Sequence, residues 1–461
     1  VNGSRTESGK PLLANDPHLS PQLPSPYYEM HLDCPGFRVA GVTLPGAPGI
    51  VIGHNEQVAW GITASMADTE DAYEVELSPA DPTSYRYDGG WRTAEVIPES
   101  IQVKGRPSAL QEDVLVTHHG PVVLRKPDTP HRAYTLRSTI LERDTLLRAG
   151  LEIARSRTAT EFRSALAHWG APSVNFVFAD IDGAIGYQLA GLLPNRTPGS
   201  GVSPAVGSET GSEWSGYLPF EGHPHTLNPA GGALVSANNK PGTVGPPFII
   251  TGEWADGYRA QRIWDRLEVT SHSVISFQEM HQDAVSLAAR ELQDLLRDAP
   301  PDSFVARRHW REFISWDGAL TVDSRGGALY QAVRFQLYRH LLTPVLGDRV
   351  DDFFGVRLHP LGASAAYQVR GSSFLLAQLR ALKQSGHADG SFSRLISRSF
   401  EGAIADLTQR LGKDDRGWSW GRLHQVTFRH VLGRGPVLSR LLNRGPFPAP
   451  GGADAGQSGA A

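Results

Sequence analysis

The stretch Gly9-Lys10-Pro11-Leu12-Leu13-Ala14-Asn15-Asp16-Pro17-His18-Leu19 sets a turn, a short apolar run and a lone imidazole side by side near the start of the sequence. Gly9 to Pro11 is turn chemistry, Leu12 to Ala14 ask for burial, and Asn15-Asp16-Pro17 interrupts the run before His18. Read from composition alone, His18 is a turn histidine after a proline. A different meaning for it depends on what the rest of the chain brings against it.

The chain has 461 residues, beyond the size at which single cores usually stop growing, so two lobes or one elaborated domain are expected. With 44 basic and 48 acidic residues the net charge is -4, which gives no electrostatic reason to expect nucleic acid or an anionic membrane as partner. No apolar run approaches the ~20 residues that cross a bilayer. The one cysteine, Cys34, excludes an internal disulfide and any cysteine-based metal cluster. It lies in the alternating run Tyr28-Glu29-Met30-His31-Leu32-Asp33-Cys34, without basic neighbours, and is expected to be a buried structural thiol.

Residues 1 to 77 are β-rich, with apolar and β-branched stretches at 37–44, 49–53 and 72–77 between Pro and Gly punctuation. Residues 78–135 continue in short strand-like pieces, with Asp88-Gly89-Gly90 as a turn, and are expected to form a β insertion. From 138 to 169 the apolar spacing becomes helical, at Leu146, Leu147, Leu151, Ile153, Ala154, Phe162, Leu166 and Trp169. Residues 174–190 read as a hairpin turning at Asp182-Gly183. Residues 191–232 read as a long surface segment anchored by Trp214 and Tyr217-Leu218-Pro219-Phe220. The pattern from 274 to 411 is mainly helical. The expected organisation is a core over 1–270 containing the insertion, a helical lobe over 271–440 and a tail over 441–461.

Three further motifs carry chemistry. They are His54-Asn55-Glu56-Gln57-Val58-Ala59-Trp60-Gly61-Ile62-Thr63-Ala64, Ser236-Ala237-Asn238-Asn239-Lys240-Pro241, and Trp254-Ala255-Asp256-Gly257-Tyr258-Arg259-Ala260-Gln261-Arg262-Ile263. Together with the opening stretch and Val1-Asn2-Gly3-Ser4-Arg5-Thr6, they closely resemble the catalytic β-chain of the penicillin acylase family of N-terminal-nucleophile amidohydrolases. The resemblance implies an α+β fold, a four-layer αββα sandwich with a β insertion and a helical lobe. It also implies cleavage of a small acyl-amide substrate by a serine hydroxyl whose own α-amine is the base. The sequence starts with Val1, and the family pattern places that serine roughly five residues upstream. The same pattern implies sequence beyond both ends, an α-chain cut from the same precursor, and a periplasmic or secreted protein. Without the upstream serine, residues 1–461 are expected to be inactive by themselves.

Carried over residue by residue, the resemblance puts His18 beside the nucleophile. It makes the backbone N–H of Ala64 and the side-chain amide of Asn238 the donors to the oxyanion, with Arg259 behind Asn238 as its organiser and Arg262 in an ion pair. Asp68-Thr69-Glu70-Asp71 resembles the family's calcium loop, so Ca²⁺ is expected on the Asp68 and Asp71 carboxylates and the Glu70 carbonyl. The further aspartate that the family draws from the region 246–251 has no counterpart in this sequence. The acyl-pocket positions are Leu19, Ile52, Ile62 and Val174, aliphatic where aromatic-acyl specialists place rings. That composition suits acyl-homoserine lactones or lipopeptides at least as well as phenylacetylated β-lactams.

Competing readings are a noncatalytic binding protein that keeps the fold, and a β-rich glycosidase using Asp180 and Asp182. Asp180 and Asp182 fit a hairpin turn better. His118-His119, His424 and His430 lack a recognised zinc spacing and a local third ligand, so structural roles are expected for them.

Overall fold

The computed structural model describes residues 1–47, 49–142, 145–196, 201, 203–242, 254–268, 271–354, 370–385 and 390–457. In chain order the strands are β1 (Gln22–Leu23), β2 (Tyr28–Cys34), β3 (Phe37–Thr43), β4 (Ile52–Asn55), β5 (Val58–Ala64), β6 (Glu70–Glu76), β7 (Ser84–Tyr87), β8 (Gly90–Thr93) and β9 (Glu95–Ile101). They continue as β10 (Leu110–Thr117), β11 (Gly120–Lys126), β12 (Thr129–Ser138), β13 (Val174–Asp180), β14 (Ile185–Ala190), β15 (Ala205–Val206), β16 (His225–Leu227), β17 (Gln425–His430) and β18 (Arg444–Pro448).

The site is built on a seven-stranded antiparallel sheet in the order β16-β14-β13-β5-β4-β3-β2. At its centre β5 and β13 pair from Val58↔Asp180 to Ala64↔Val174. Period-two alternation then sends Trp60, Phe176 and Phe178 to one face, where α1 (Leu146–Arg155) and α2 (Ala159–Ala165) cover them with Ile153, Ala154 and Phe162. Thr158 fixes the start of α2 by accepting a hydrogen bond from Glu161 N–H. Gly186 on β14 is required by this packing, because a Cβ there would lie 2.2 Å from the Phe178 ring. The opposite face of β5 and β13 is where the chemistry-bearing residues gather.

The hairpin turn is as expected, and Asp180 explains it. Its Oδ1 accepts from the N–H groups of Asp182 and Ala184, and its Oδ2 accepts from Ala159 N–H. A buried carboxylate engaged with three backbone donors holds a turn and a helix start, which removes it from glycosidase chemistry. Cys34 departs from expectation, since it is exposed. It ends β2, the edge strand of the sheet, and little packs over that strand.

A six-stranded sheet, β15-β6-β12-β11-β10-β9, forms the expected insertion but recruits β6 from before residue 78 and β15 from after residue 135. Its core holds Val75, Tyr85, Leu115 and Ala133. The segment 191–232 is correspondingly less superficial than its Gly, Pro and Ser content suggests, and Trp214 and Leu218 are buried.

In the helical lobe α3 (Tyr258–Leu267), which starts before residue 271, and α4 (Val274–His281) bring Leu267 and Met280 into a cluster with Val1 and Ala233. Separately, α5 (Leu287–Leu296), α6 (Phe304–Ser315), α7 (Arg325–Leu346) and the helices Gly371–Ser385 and Ser391–Leu411 pack around Phe313, Tyr330, Tyr338 and Phe400. Ser273, Ser286, Ser303 and Ser324 each cap a helix by accepting from the N–H three residues on. After β18 the tail turns back into this lobe, where the buried Asp454 accepts from Ser372 Oγ at 2.7 Å and from Tyr330 Oη at 3.3 Å. Among the described residues no helix is long and apolar enough to cross a membrane.

Candidate active site

Two loops and one helix start meet over β5. The opening stretch lies across the strand because Asn15 reads the backbone of Ile62, donating to its carbonyl and accepting from its N–H, both at 3.0 Å. Gly61 makes this approach possible, since a Cβ there would come within 2.7 Å of the Asn15 side chain. The chain then delivers His18, whose Nε2 is 3.2 Å from Asp16 Oδ2. That contact, together with the charges of His281 and Arg259, holds the Asp16 carboxyl below the ordinary carboxylate value.

Asn238 sits in the left-handed region at φ +63, a conformation that asparagine tolerates better than most residues. Its Nδ2 donates to Ala64 O at 2.9 Å, and its Oδ1 accepts from Arg259 Nη2 at 2.6 Å. Arg259, in the first turn of α3, also donates to Ala237 O at 2.9 Å and places Nη1 3.3 Å from His18 Nδ1. Burial pushes the Arg259 guanidinium down from its ordinary value, against the opposing pull of Asp454 and Asp16. A carboxamide has two N–H donors, and among the described residues only one of Asn238's is taken. The other is available to a guest beside the exposed Ala64 that ends β5.

His18, Ala64, Asn238 and Arg259 therefore belong to one hydrogen-bonded chain and line one cavity of about 440 Å³. That volume lies within the ~300–1,000 Å³ of small-molecule sites. Val1 and Leu19 line the cavity too. Ile52 does not, because β4 lies one strand beyond β5, away from the cavity over β5 and β13, and Ile52 pairs with Val42 of β3. Ile62 and Val174 touch it, yet both pack in the core that α1 and α2 cover. The walls come mainly from residues that the sequence did not single out, among them Leu12, Val177, Val235, Ile263, Phe277 and Met280. A polar line behind them runs from Tyr187 Oη to Asn175 Oδ1 at 2.7 Å, from Asn175 Nδ2 to Thr63 Oγ1 at 3.2 Å, and from Thr63 to Ser236 Oγ at 2.5 Å.

The acidic loop is organised around a cation of the protein's own. Arg196 Nε donates to Asp71 Oδ2 at 2.7 Å, its Nη1 donates to Asp68 O at 2.9 Å and its Nη2 is 3.3 Å from Asp68 Oδ1. Trp214 Nε1 also donates to Asp71 Oδ2. The Glu70 carboxylate accepts from Ser138 Oγ at 2.7 Å. With a guanidinium already among the carboxylates, these residues do not fit a calcium ion. The region 246–251 lies outside the described residues. Arg262 makes the expected ion pair, with Asp283 at 2.6 Å. His424 stacks on Trp420 with its Nδ1 2.8 Å from Ala449 O, and His430 Nδ1 accepts from Leu432 N–H, so both are structural.

The structural match to a penicillin acylase gives the class of the fold, that of the N-terminal-nucleophile hydrolases. The chain is similar to a thermostable penicillin G acylase from Alcaligenes faecalis, with a TM-score of 0.76 and 26% identity over 90% of this chain and 79% of that one. A family model described as penicillin amidase matches residues 1–460, and the chain belongs to that family. It is 29% identical to the acyl-homoserine lactone acylase QuiP of Pseudomonas aeruginosa over 97% of its length, and 29% identical to a penicillin acylase 2 proenzyme of Pseudomonas sp. strain SE83 over 98%. In each case it spans 57% of the relative's own length.

Proposed function

We propose that this chain is the catalytic portion of an acylase that hydrolyses a small acyl amide through a tetrahedral intermediate. The observation that carries the proposal is the convergence of Asn238, Ala64, Arg259 and His18 on one largely apolar cavity. In this reading the free N–H of Asn238 and the backbone N–H of Ala64 bind the developing oxyanion. Arg259 positions Asn238 by holding its Oδ1, which turns the amide nitrogen outward to the substrate. The attacking hydroxyl belongs to a serine upstream of Val1, released as an amino terminus by cleavage of a precursor. Val1 lines the same cavity. The relatives named as acylases, one of them a proenzyme, support both the reaction class and a partner chain from the same precursor.

The acyl group is aliphatic in this proposal. Leu12, Val177, Val235, Ile263 and Met280 give the cavity a largely hydrocarbon lining, and Tyr27, Phe178 and Phe277 contribute rings to it. A periplasmic or secreted location follows from the family resemblance and is proposed with it. Calcium has no part, because Arg196 supplies the positive charge at Asp68 and Asp71. The test is kinetics of the intact protein, including the sequence upstream of Val1, on a series of linear acyl amides and a phenylacetyl amide. The proposal expects turnover that rises with chain length; absence of hydrolysis of every amide would favour the binding-protein reading.

A further inference from the structure

His118 and His119 are the two turn residues between β10 and β11, closed by the pair Thr117↔Gly120. The fold brings Glu213 to them from far along the chain, and each of the three presents a ligand-type atom within 4.8 Å of the others. We propose that His118, His119 and Glu213 bind a divalent transition metal, with Zn²⁺ the fitting ion, in a site distinct from the acylase cavity.

The argument begins with an unsatisfied atom. His119 is 1% exposed, its Nε2 is 3.2 Å from Gly207 O, and its Nδ1 has no hydrogen-bond partner among the described residues. With Nε2–H donating to that carbonyl, Nδ1 carries a lone pair removed from water, an unmet acceptor that a bound ion would satisfy. Stacking on Tyr73, with ring centroids 4.0 Å apart, fixes the ring.

His118 is prepared in the same way. Its Nε2 is 3.1 Å from Glu213 Oε1, and its Nδ1 is 2.8 Å from Tyr85 Oη. When Nε2 binds metal, the ring proton moves to Nδ1 and is donated to Tyr85 Oη, so each imidazole has the partner on its far nitrogen that metal-ligating histidines need. Tyr87 Oη steadies Glu213 by donating to Oε1 at 2.8 Å, which leaves Oε2 for an ion.

Two imidazoles and a carboxylate are a zinc donor set with a fourth position for water. Zinc bonds of ~2.0–2.2 Å bring ligand atoms to roughly 3.3 Å apart. Starting from separations of 4.8 Å or less, the cluster closes by about 1.5 Å at most. The ion would clip the β10–β11 hairpin to the segment 207–213 and so lock the insertion sheet. Arg92 and Arg137 stand near enough to weaken the site without filling it.

The experiment uses the intact protein, stripped of metal by dialysis and titrated calorimetrically with Zn²⁺ beside the variant Glu213→Gln. A second readout on the unsubstituted protein is the visible d–d absorption on adding Co²⁺, which reports nitrogen and oxygen coordination without a mutation. Expected are one more zinc equivalent in the unsubstituted protein than in Glu213→Gln, or a loss of at least ~10-fold in affinity, with unchanged acyl-amide turnover. Identical titrations of both proteins, or no cobalt spectrum and no zinc uptake, would overturn the proposal.

Discussion

Replacing Asn238 by glycine isolates the role of its carboxamide. Alanine would confuse the result, because φ is +63 and a Cβ without a compensating local hydrogen bond costs ~1–2 kcal/mol there. Glycine accepts that backbone and removes only the amide. Two hydrogen bonds are lost, to Ala64 O and from Arg259, but both partners retain others: Asn175 Nδ2 lies 3.4 Å from Ala64 O, and Ala237 O still accepts from Arg259. The stability cost should therefore be about 1–2 kcal/mol. Loss of an oxyanion donor, by contrast, costs ~2.7–4 kcal/mol of transition-state stabilisation, or about 10²–10³ in kcat. Steady-state kinetics of the intact protein on an acyl amide, with a melting curve alongside, separates the two effects. Arg259→Lys should lower kcat with little change in KM, since an ammonium lacks the planar fork that holds both Asn238 and Ala237. A kcat within threefold (about 0.7 kcal/mol) of the unsubstituted protein for Asn238→Gly would refute the reasoning.

Gly61→Ala should destabilise by ~1–3 kcal/mol, because its Cβ would displace Asn15 from the Ile62 backbone; urea unfolding measures it. Asp71→Asn removes a charge partner from the buried Arg196 and should cost about 3 kcal/mol, while added calcium should leave the melting temperature of the unsubstituted protein unchanged; a large calcium-dependent rise would contradict the guanidinium-centred cluster. Burial, then Arg398 and Arg339, lower the His340 pKa from 6.5, so folding favours its neutral form. The stability this provides is complete above pH 6.5 and is lost as pH falls below it; His340→Gln should flatten the fall.

Much of the fold and site is legible in the residues, and the parts that are not share a physical cause. The apolar runs 174–179 and 184–190 locate β13 and β14, Asp182-Gly183 locates the turn between them, and the family-like stretch 54–64 contains β5. The Asn238 and Arg259 motifs are local in sequence, so their resemblance to a family identifies them without any knowledge of contacts. Cavity walls are different. Val177, Phe277 and Met280 read as ordinary apolar residues of a strand and a helix, and only the packing of the helical lobe against the sheet turns them toward a common space. Ile52, placed in the pocket by the family resemblance, falls outside the cavity because β4 lies one strand beyond β5. The pairing of His118 and His119 with Glu213 depends on the segment 207–213 closing on the insertion, a long-range event with no local signal. Arg196 among the acidic residues is hidden in the same way, since nothing near Asp68 or Asp71 in sequence announces it.

The most direct measurement is a crystal structure of the intact protein with an alkyl boronate bound as a tetrahedral adduct. The account predicts a boronate oxygen within hydrogen-bond distance of both Ala64 N and Asn238 Nδ2, with the alkyl chain running past Val177 toward Phe277 and Met280. An adduct whose oxygens touch neither group, or whose chain lies outside that cavity, would contradict it.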